Sequence, residues 1–385
     1  MKILFTSTAG LGHLYPLLPL ARAARDAHHQ VLFAVPVGAV EVVRRLGFSV
    51  LATSDGDPPR ETGEFWKGLA GQSDANTYVF AGLFGRLRVQ GALERTRSVV
   101  EDYAPELVIS ECLEFAGSLV AESHGIPQVS VGVGSLGLSG LRTGPLVDEL
   151  NRWRSSMNLP AVEAPPWQRH RFATWLPDVL QGAGPGPVMH AVQYRYEDAE
   201  PTGSLSLPST WLRPRVYATL GSAAPAQAGT AAIYRAVLAG LAECEADILF
   251  SIGSLDPATL GPVPSNVTVM HYAAQRDAMS ADAVVSHGGS GTTVATLAHG
   301  LPSVTVPLFA DQPHNAAQLQ AAGLGVTVEP RNVTDELPAA VARVLDDASY
   351  RRRAQGVAAS MALTPTADDI LAGLVTSAAA EPVHR

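Results

Sequence analysis

Two histidines stand where a side chain could do chemistry: His13 in "TAGLGHLYP" and His287 in "SHGGSGTT". Each follows a short apolar run, "KILFTS" or "ADAVV", and leads into a helical pattern. In a parallel α/β sheet that junction is the carboxyl edge of the strands, where ligands bind. Around His287, glycines 288, 289 and 291 let the backbone approach an oxygen-rich ligand, and Ser290 and Thr292 add hydroxyls. The helix beginning there supplies unpaired amides and the positive end of its dipole, which makes an anion site; His287 adds one donor. His13 has the side chain that titrates nearest neutrality. A second strand, "PELVISECLEF", ends at the same edge with Glu111, so a carboxylate could fix the His13 tautomer and support its protonated form. Farther on, "PLFADQPHNAAQL" sets Asp311 beside Gln312 in a loop entering a helix, an acceptor next to a donor, as a polyol requires.

Other motifs fail their own requirements. Gly10 and Gly12 have the spacing of the first two dinucleotide-fingerprint glycines, but Tyr15 stands at the third and no acid follows "VLFAV". There is no Gly-Lys-Ser/Thr, the only lysines being Lys2 and Lys67. Asp55 and Asp57 in "SDGDPP" could hold a divalent metal, yet the flanking Gly and Pro spell a surface turn. Cys112 and Cys244 are too few for a disulfide framework or a cysteine metal site, which suits a reducing cytoplasm. No metal and no cofactor are expected.

These sites need a scaffold, and the chain is long enough to provide two. At 385 residues it exceeds one ordinary core. With 46% hydrophobic and only 16% charged residues it should be mostly folded. A net charge of -9 and the lack of a basic patch larger than "RRR" exclude nucleic acid or an anionic membrane as the main partner. The start shows no signal-peptide pattern and no stretch is long and apolar enough to span a membrane. Buried parallel strands alternate with helices through "KILFTS", "VLFAV", "ELVIS" and "QVSVGV", with helices near 16–27 and 39–46. After the Pro/Ser-rich "PTGSLSLPSTWLRPR" the alternation resumes at "VYATLGS" and runs through "DILFSIG", "VTVMHY", "PSVTVPL" and "GVTVEP". The expected fold is α/β, two Rossmann-like doubly wound domains facing across a cleft: residues 1–206 and 216–362, a linker at 207–215, and a helical tail at 363–385 that returns to the first domain. Residues 55–90 and 135–191 break the rhythm with aromatic insertions. Their rings either pack the insertions onto the domain or line a pocket for a hydrophobic acceptor, with Trp66, Phe80, Phe84 and Trp153 as candidates.

At these residues the chain resembles the GT-B glycosyltransferases of family 1, most of all the actinomycete antibiotic enzymes that use nucleotide-activated deoxysugars. The likeness runs over the whole chain and is most specific in "HYAAQRDAMSADAVVSHGGSGTT" and "GLPSVTVPLFADQPHNAAQLQAAGLG", with "GHLYPLLPLARA" and "VYATLGS" in support. It implies an inverting, metal-independent transferase in which His13 is the base and Glu111 its supporting acid. It implies further that His287, Gly289, Ser290, Gly291, Thr292 and Ser222 hold the donor diphosphate, Tyr272, Ala273 and Gln275 the nucleobase, and Asp311 and Gln312 the sugar. Ala295 stands where relatives that use UDP-sugars carry a ribose-binding glutamate, which suits a dTDP-sugar as co-substrate. The implied acceptor is a hydrophobic aglycone, and a homodimer stays open. A C-glycosyltransferase, a nucleotide-sugar 2-epimerase and a non-catalytic sugar-nucleotide-binding partner share the architecture and stay open at this point.

Overall fold

The computed structural model describes residues 1–56, 59–69, 71–72, 74–135, 141–181, 191–198, 213–221 and 230–380. They form two compact units. The first comprises Met1–Trp175, Ala183–Arg195 and Pro365–Arg385; the second comprises Leu176–Gly182 and Tyr196–Thr364. Most of the segment read as a linker, 207–212, lies outside the described residues.

In the first unit, β1 (Lys2–Thr6), β2 (Gln30–Val35), β3 (Ser49–Ala52), β4 (Leu107–Glu111), β5 (Gln128–Val131), β6 (Arg171–Thr174) and β7 (Ala191–Gln193) form one parallel sheet in the order β3-β2-β1-β4-β5-β6-β7. The continuous apolar runs explain the arrangement: Ile3, Leu4, Phe5, Val108 and Ile109 lose all exposure because helices cover both faces. The first helical stretch starts earlier than its pattern suggests, at Leu11. Pro16 sits in a 3₁₀ turn, Tyr15–Leu17, before the helix Leu18–Asp26. The insertion at 55–90 becomes the helix Pro59–Leu69, a short helix Ala75–Tyr78 and a π-helix, Val79–Arg88. At the carboxyl end, the helix Ala367–Ala380 packs on Leu18–Asp26 and buries Leu371 and Leu374. Arg195 N–H donates to Pro365 O nearby at 2.7 Å.

The second unit has its own parallel sheet, built from β8 (Arg215–Thr219), β9 (Asp247–Ser251), β10 (Val267–Met270), β11 (Ala283–Ser286), β12 (Ser303–Thr305) and β13 (Gly325–Thr327). The order is β10-β9-β8-β11-β12-β13. In each sheet the winding reverses once, between β1 and β4 or between β8 and β11. A crevice opens at the carboxyl ends of the strands where winding reverses. His13 and Glu111 lie at the first of these points, Gly221 and His287 at the second. No helix among the described residues is long and apolar enough to cross a membrane.

Candidate active site

The acid at the first crevice is fully buried. Glu111 ends β4 and receives hydrogen bonds from Thr8 Oγ1 (2.8 Å) and, on its other oxygen, from Leu113 N–H (2.8 Å). Burial drives its carboxyl upward, but the His13 imidazole, the Leu113 amide and the Thr8 hydroxyl outweigh that and hold it below its ordinary value. It is therefore a carboxylate, which only accepts, so His13 Nδ1 carries the proton in their 3.1 Å contact. That leaves the Nε2 lone pair free to act as a base. Gly10, at φ 116°, makes the turn that brings His13 back over the strand end. Phe84 of the π-helix lies against the imidazole, ring centroids 5.6 Å apart, and the Arg88 guanidinium lies over the Phe84 ring at 4.6 Å.

The other aromatic candidates serve the core first. Phe80 and Phe84 are buried with Phe65, Leu83 and Trp167, and Trp153 donates its indole N–H to Gly85 O at 3.0 Å. Only Trp66 among the four is well exposed, at 44%. Asp55 forms a two-pronged pair with Arg95 (2.8 and 2.9 Å), while Asp57 lies outside the described residues.

In the second unit, His287 is seated between two glycines. A Cβ at Gly221 or at Gly289 would come within 2.5 Å of its Nε2, so only glycine fits on either side of the ring. Burial lowers its pKa to about 4, with the Asp311 charge opposing. His287 is thus neutral near pH 7 and offers a hydrogen bond rather than charge. Its Nδ1 is buried with no partner among the described residues, an atom that a ligand oxygen would satisfy. The unfolded chain binds a proton on this histidine between about pH 6.5 and 4 and the folded chain does not. Its stabilising share is therefore complete above pH 6.5 and lost as pH falls toward 4. A His287→Gln variant should show a flatter melting temperature across that window than the parent; parallel curves would contradict the burial.

The helix Ser290–Ala298 makes its first internal bond from Thr293 N–H to Gly289 O, leaving the amides of Ser290, Gly291 and Thr292 without intrahelical acceptors. Asp311 takes the first of them. Its Oδ2 accepts from Ser290 N–H (3.2 Å), Ser290 Oγ (2.5 Å) and Asn315 Nδ2 (3.1 Å), and Asn315 also holds Gly288 O at 2.8 Å. Ala310 enters this clamp at φ 57°, a left-handed conformation unusual for a residue with a Cβ. Gln312 is buried, its Oε1 accepting from the amides of Leu308 (2.8 Å) and Phe309 (3.0 Å). Both residues expected at the sugar thus also brace their own loop, and Asn315, which the sequence sets in that same loop, joins the clamp. Gln275 Nε2 donates to Gly291 O at 3.2 Å, tying the "YAAQ" loop to the phosphate loop; Tyr272 is half exposed and Ala273 buried. Ser222 lies outside the described residues.

Ala295 corrects one expectation. It exposes nothing and packs in an apolar cluster with Tyr217, Ala273, Met279 and Leu301, so it presents no surface to a ribose. A glutamate substituted there would bury a carboxylate, and Ala295→Glu should cost about 3 kcal/mol or more, a melting temperature lower by roughly 6–12 °C. A variant as stable as the parent, read by differential scanning calorimetry, would show that the helix turns this position toward solvent.

Known proteins resemble this chain over nearly its whole length. Residues 235–376 match the model of the erythromycin biosynthesis protein CIII-like C-terminal domain. The L-demethylnoviosyl transferase of Streptomyces niveus is 30% identical, with 97% of each chain covered. The crystal structure of the glycosyltransferase SnogD from Streptomyces nogalater superposes with a TM-score of 0.78 at 26% identity, covering 98% of this chain and 99% of that one. The Streptomyces sp. SF2575 glycosyltransferase SsfS6, complexed with thymidine diphosphate, gives 0.76 at 25% identity, with 98% and 99% covered. With a relative 30% identical over 97% of each chain and solved transferases of the same fold, this chain belongs to the GT-B glycosyltransferases of natural-product biosynthesis.

Proposed function

We propose that the protein transfers a deoxysugar, with inversion, from a thymidine diphosphate-sugar to a hydroxyl of a hydrophobic aglycone in the cytoplasm. The observation that carries this reading is the His13–Glu111 pair, 3.1 Å apart at the switch point of the first sheet. His13 Nε2 takes the proton of the acceptor hydroxyl as its oxygen attacks the anomeric carbon from the side opposite the diphosphate. The carbon–oxygen bond to the diphosphate breaks, and the departing charge meets the Gly291 and Thr292 amides and the dipole of their helix. His287 contributes a neutral donor. An epimerase has no need of an acceptor base, so this pair speaks against that alternative.

Support for a thymidine nucleotide comes from the relative solved with thymidine diphosphate and no longer from position 295. Glu111, Asp311 and His287 all have protein partners or protein cover, and no group of three or more metal-ligating side chains occurs among the described residues. The expected result is that purified protein, offered dTDP- and UDP-sugars with a panel of aglycones, yields a glycoside by mass spectrometry with dTDP-sugars favoured. Turnover should persist in EDTA. Loss of product with chelator and recovery with magnesium would overturn the metal-free step, and binding of donor without any product would favour a non-catalytic partner.

A further inference from the structure

The two loops that flank His287 leave the second sheet by the same turn. Thr219 ends β8 and Ser286 ends β11, and the two are register partners on neighbouring parallel strands, so their side chains leave one face of the sheet. Two residues on from each stands a glycine in the left-handed region, Gly221 at φ 80° and Gly288 at φ 82°. Gly221 N–H donates to Thr219 Oγ1 at 3.1 Å, and Gly288 N–H donates to Ser286 Oγ at 3.2 Å. Both hydroxyl side chains are buried.

Past the last ladder pair an amide loses its partner on the neighbouring strand, and a serine or threonine two residues back can accept from it and close a turn. The sheet does not use this device at every strand end. Ser251, the register partner of Thr219 at the end of β9, is also followed two residues on by a left-handed glycine, Gly253 at φ 62°. Gly253 N–H nevertheless donates to His271 O, at 2.8 Å, and not to the serine. The hydroxyl turns stand on the two strands at the switch point, and His287 lies between them.

Thr219 holds both sides of the seat. Its carbonyl accepts from His287 N–H at 3.3 Å, and its hydroxyl fixes Gly221, where an added Cβ would come within 2.5 Å of His287 Nε2. Ser286 precedes His287 in the chain and fixes Gly288, where an added Cβ would meet Thr305 Cγ2 at 2.6 Å. Rotation of either turn moves a wall of the seat or the ring in it. Glycine resists no such rotation, since it populates positive and negative φ alike, so the restraint comes from the hydroxyls.

We propose that Thr219 and Ser286 are positioning residues of His287, their hydroxyls locking the two glycine turns and so holding the imidazole in one place for the donor diphosphate. The proposal rests on the reading of His287 as a ligand of that diphosphate.

Calorimetric titration of the full chain with dTDP tests it. Thr219→Val keeps the branched shape and removes the acceptor, and dTDP affinity should fall about fivefold, the worth of one ordinary hydrogen bond. Thr219→Ser returns the hydroxyl and should return the affinity to within about twofold of the parent's. Because the effect runs through the imidazole, Thr219→Val should cost nothing further in a His287→Ala background, the non-additivity of residues that act as a unit. Parent-like binding by Thr219→Val, a loss that Thr219→Ser does not repair, or an undiminished further loss in the His287→Ala background would each overturn the proposal. Should Thr219→Val fail to fold, Ser286→Ala reads the same effect from the other turn, and parent-like binding there overturns the proposal as well. A parent without dTDP affinity, or His287→Ala with undiminished affinity, would instead defeat the reading of His287 on which the proposal stands.

Discussion

His13→Ala should lower glycosyl transfer by about a hundredfold or more while donor affinity stays nearly unchanged. The direction follows from the partition of the chain: His13 belongs to the first unit, while the anion loop and the "YAAQ" segment belong to the second. Loss of the imidazole removes the proton acceptor and leaves the donor contacts in place. Glu111→Gln should act in the same direction but less severely. Its amide keeps the shape and can still accept from His13 Nδ1–H, but no longer supplies the negative charge that favours the imidazolium. Product formation under single-turnover conditions, with donor affinity from calorimetry, separates the two effects. Full activity in His13→Ala, or a parallel loss of donor binding, would remove the base from this position.

The second large effect is on stability. At the opposite edge of the first sheet, Glu122 is nearly buried and accepts from Arg154, from Arg169 (2.5 Å) and from His170 (3.0 Å). Arg154, itself 4% exposed, also donates to Pro160 O at 2.7 Å, and Arg169 to Ala164 O at 2.9 Å. One carboxylate thereby joins the helix Phe115–Ser123 to the second insertion. Removing it leaves guanidinium charge buried without a counter-ion, and Glu122→Ala should cost about 3–5 kcal/mol. Burial pushes this carboxyl up, but the hydrogen bonds from His170, Arg169 and Arg154 prevail and hold it well below the usual carboxylate range. Since the folded value is the lower one, the contribution is complete above the ordinary glutamate pKa and is lost as pH falls beneath it. Denaturant melts at pH 7 and pH 4 would check both statements. A Glu122→Ala protein as stable as its parent would show the cluster to be solvated.

What the sequence disclosed was whatever depends on local pattern. Apolar runs marked the strands, and glycines before a helix start marked the loop at His287. His13 and Glu111 could be paired because both end strands of one sheet, which is a statement about topology alone. Contacts that depend on register stayed hidden. Thr6 and Ser110 meet because they are register partners on β1 and β4, and Thr8 reaches Glu111 from the same side. Nothing in the spacing of Glu114 or Glu122 distinguishes them from surface residues until the elements pack. The aromatic insertions left two readings open, packing or binding; Phe80, Phe84 and Trp167 are buried in a core of the insertions' own, with Phe84 also lying against His13. Ala295 was legible as a missing carboxylate, but not as a residue on the packed face of its helix.

The seat of His287 bears on how such enzymes can be recombined. Gly221 and Gly289 come from loops far apart in the chain, yet each excludes a methyl group from the same imidazole ring. The two positions are sterically one unit. A hybrid that takes the loop after β11 from this chain and the loop after β8 from a homologue with any larger residue at 221 would force the ring out of its slot. Gene shuffling across this half of the molecule should therefore keep crossovers out of the stretch between them, or restore glycine at both ends.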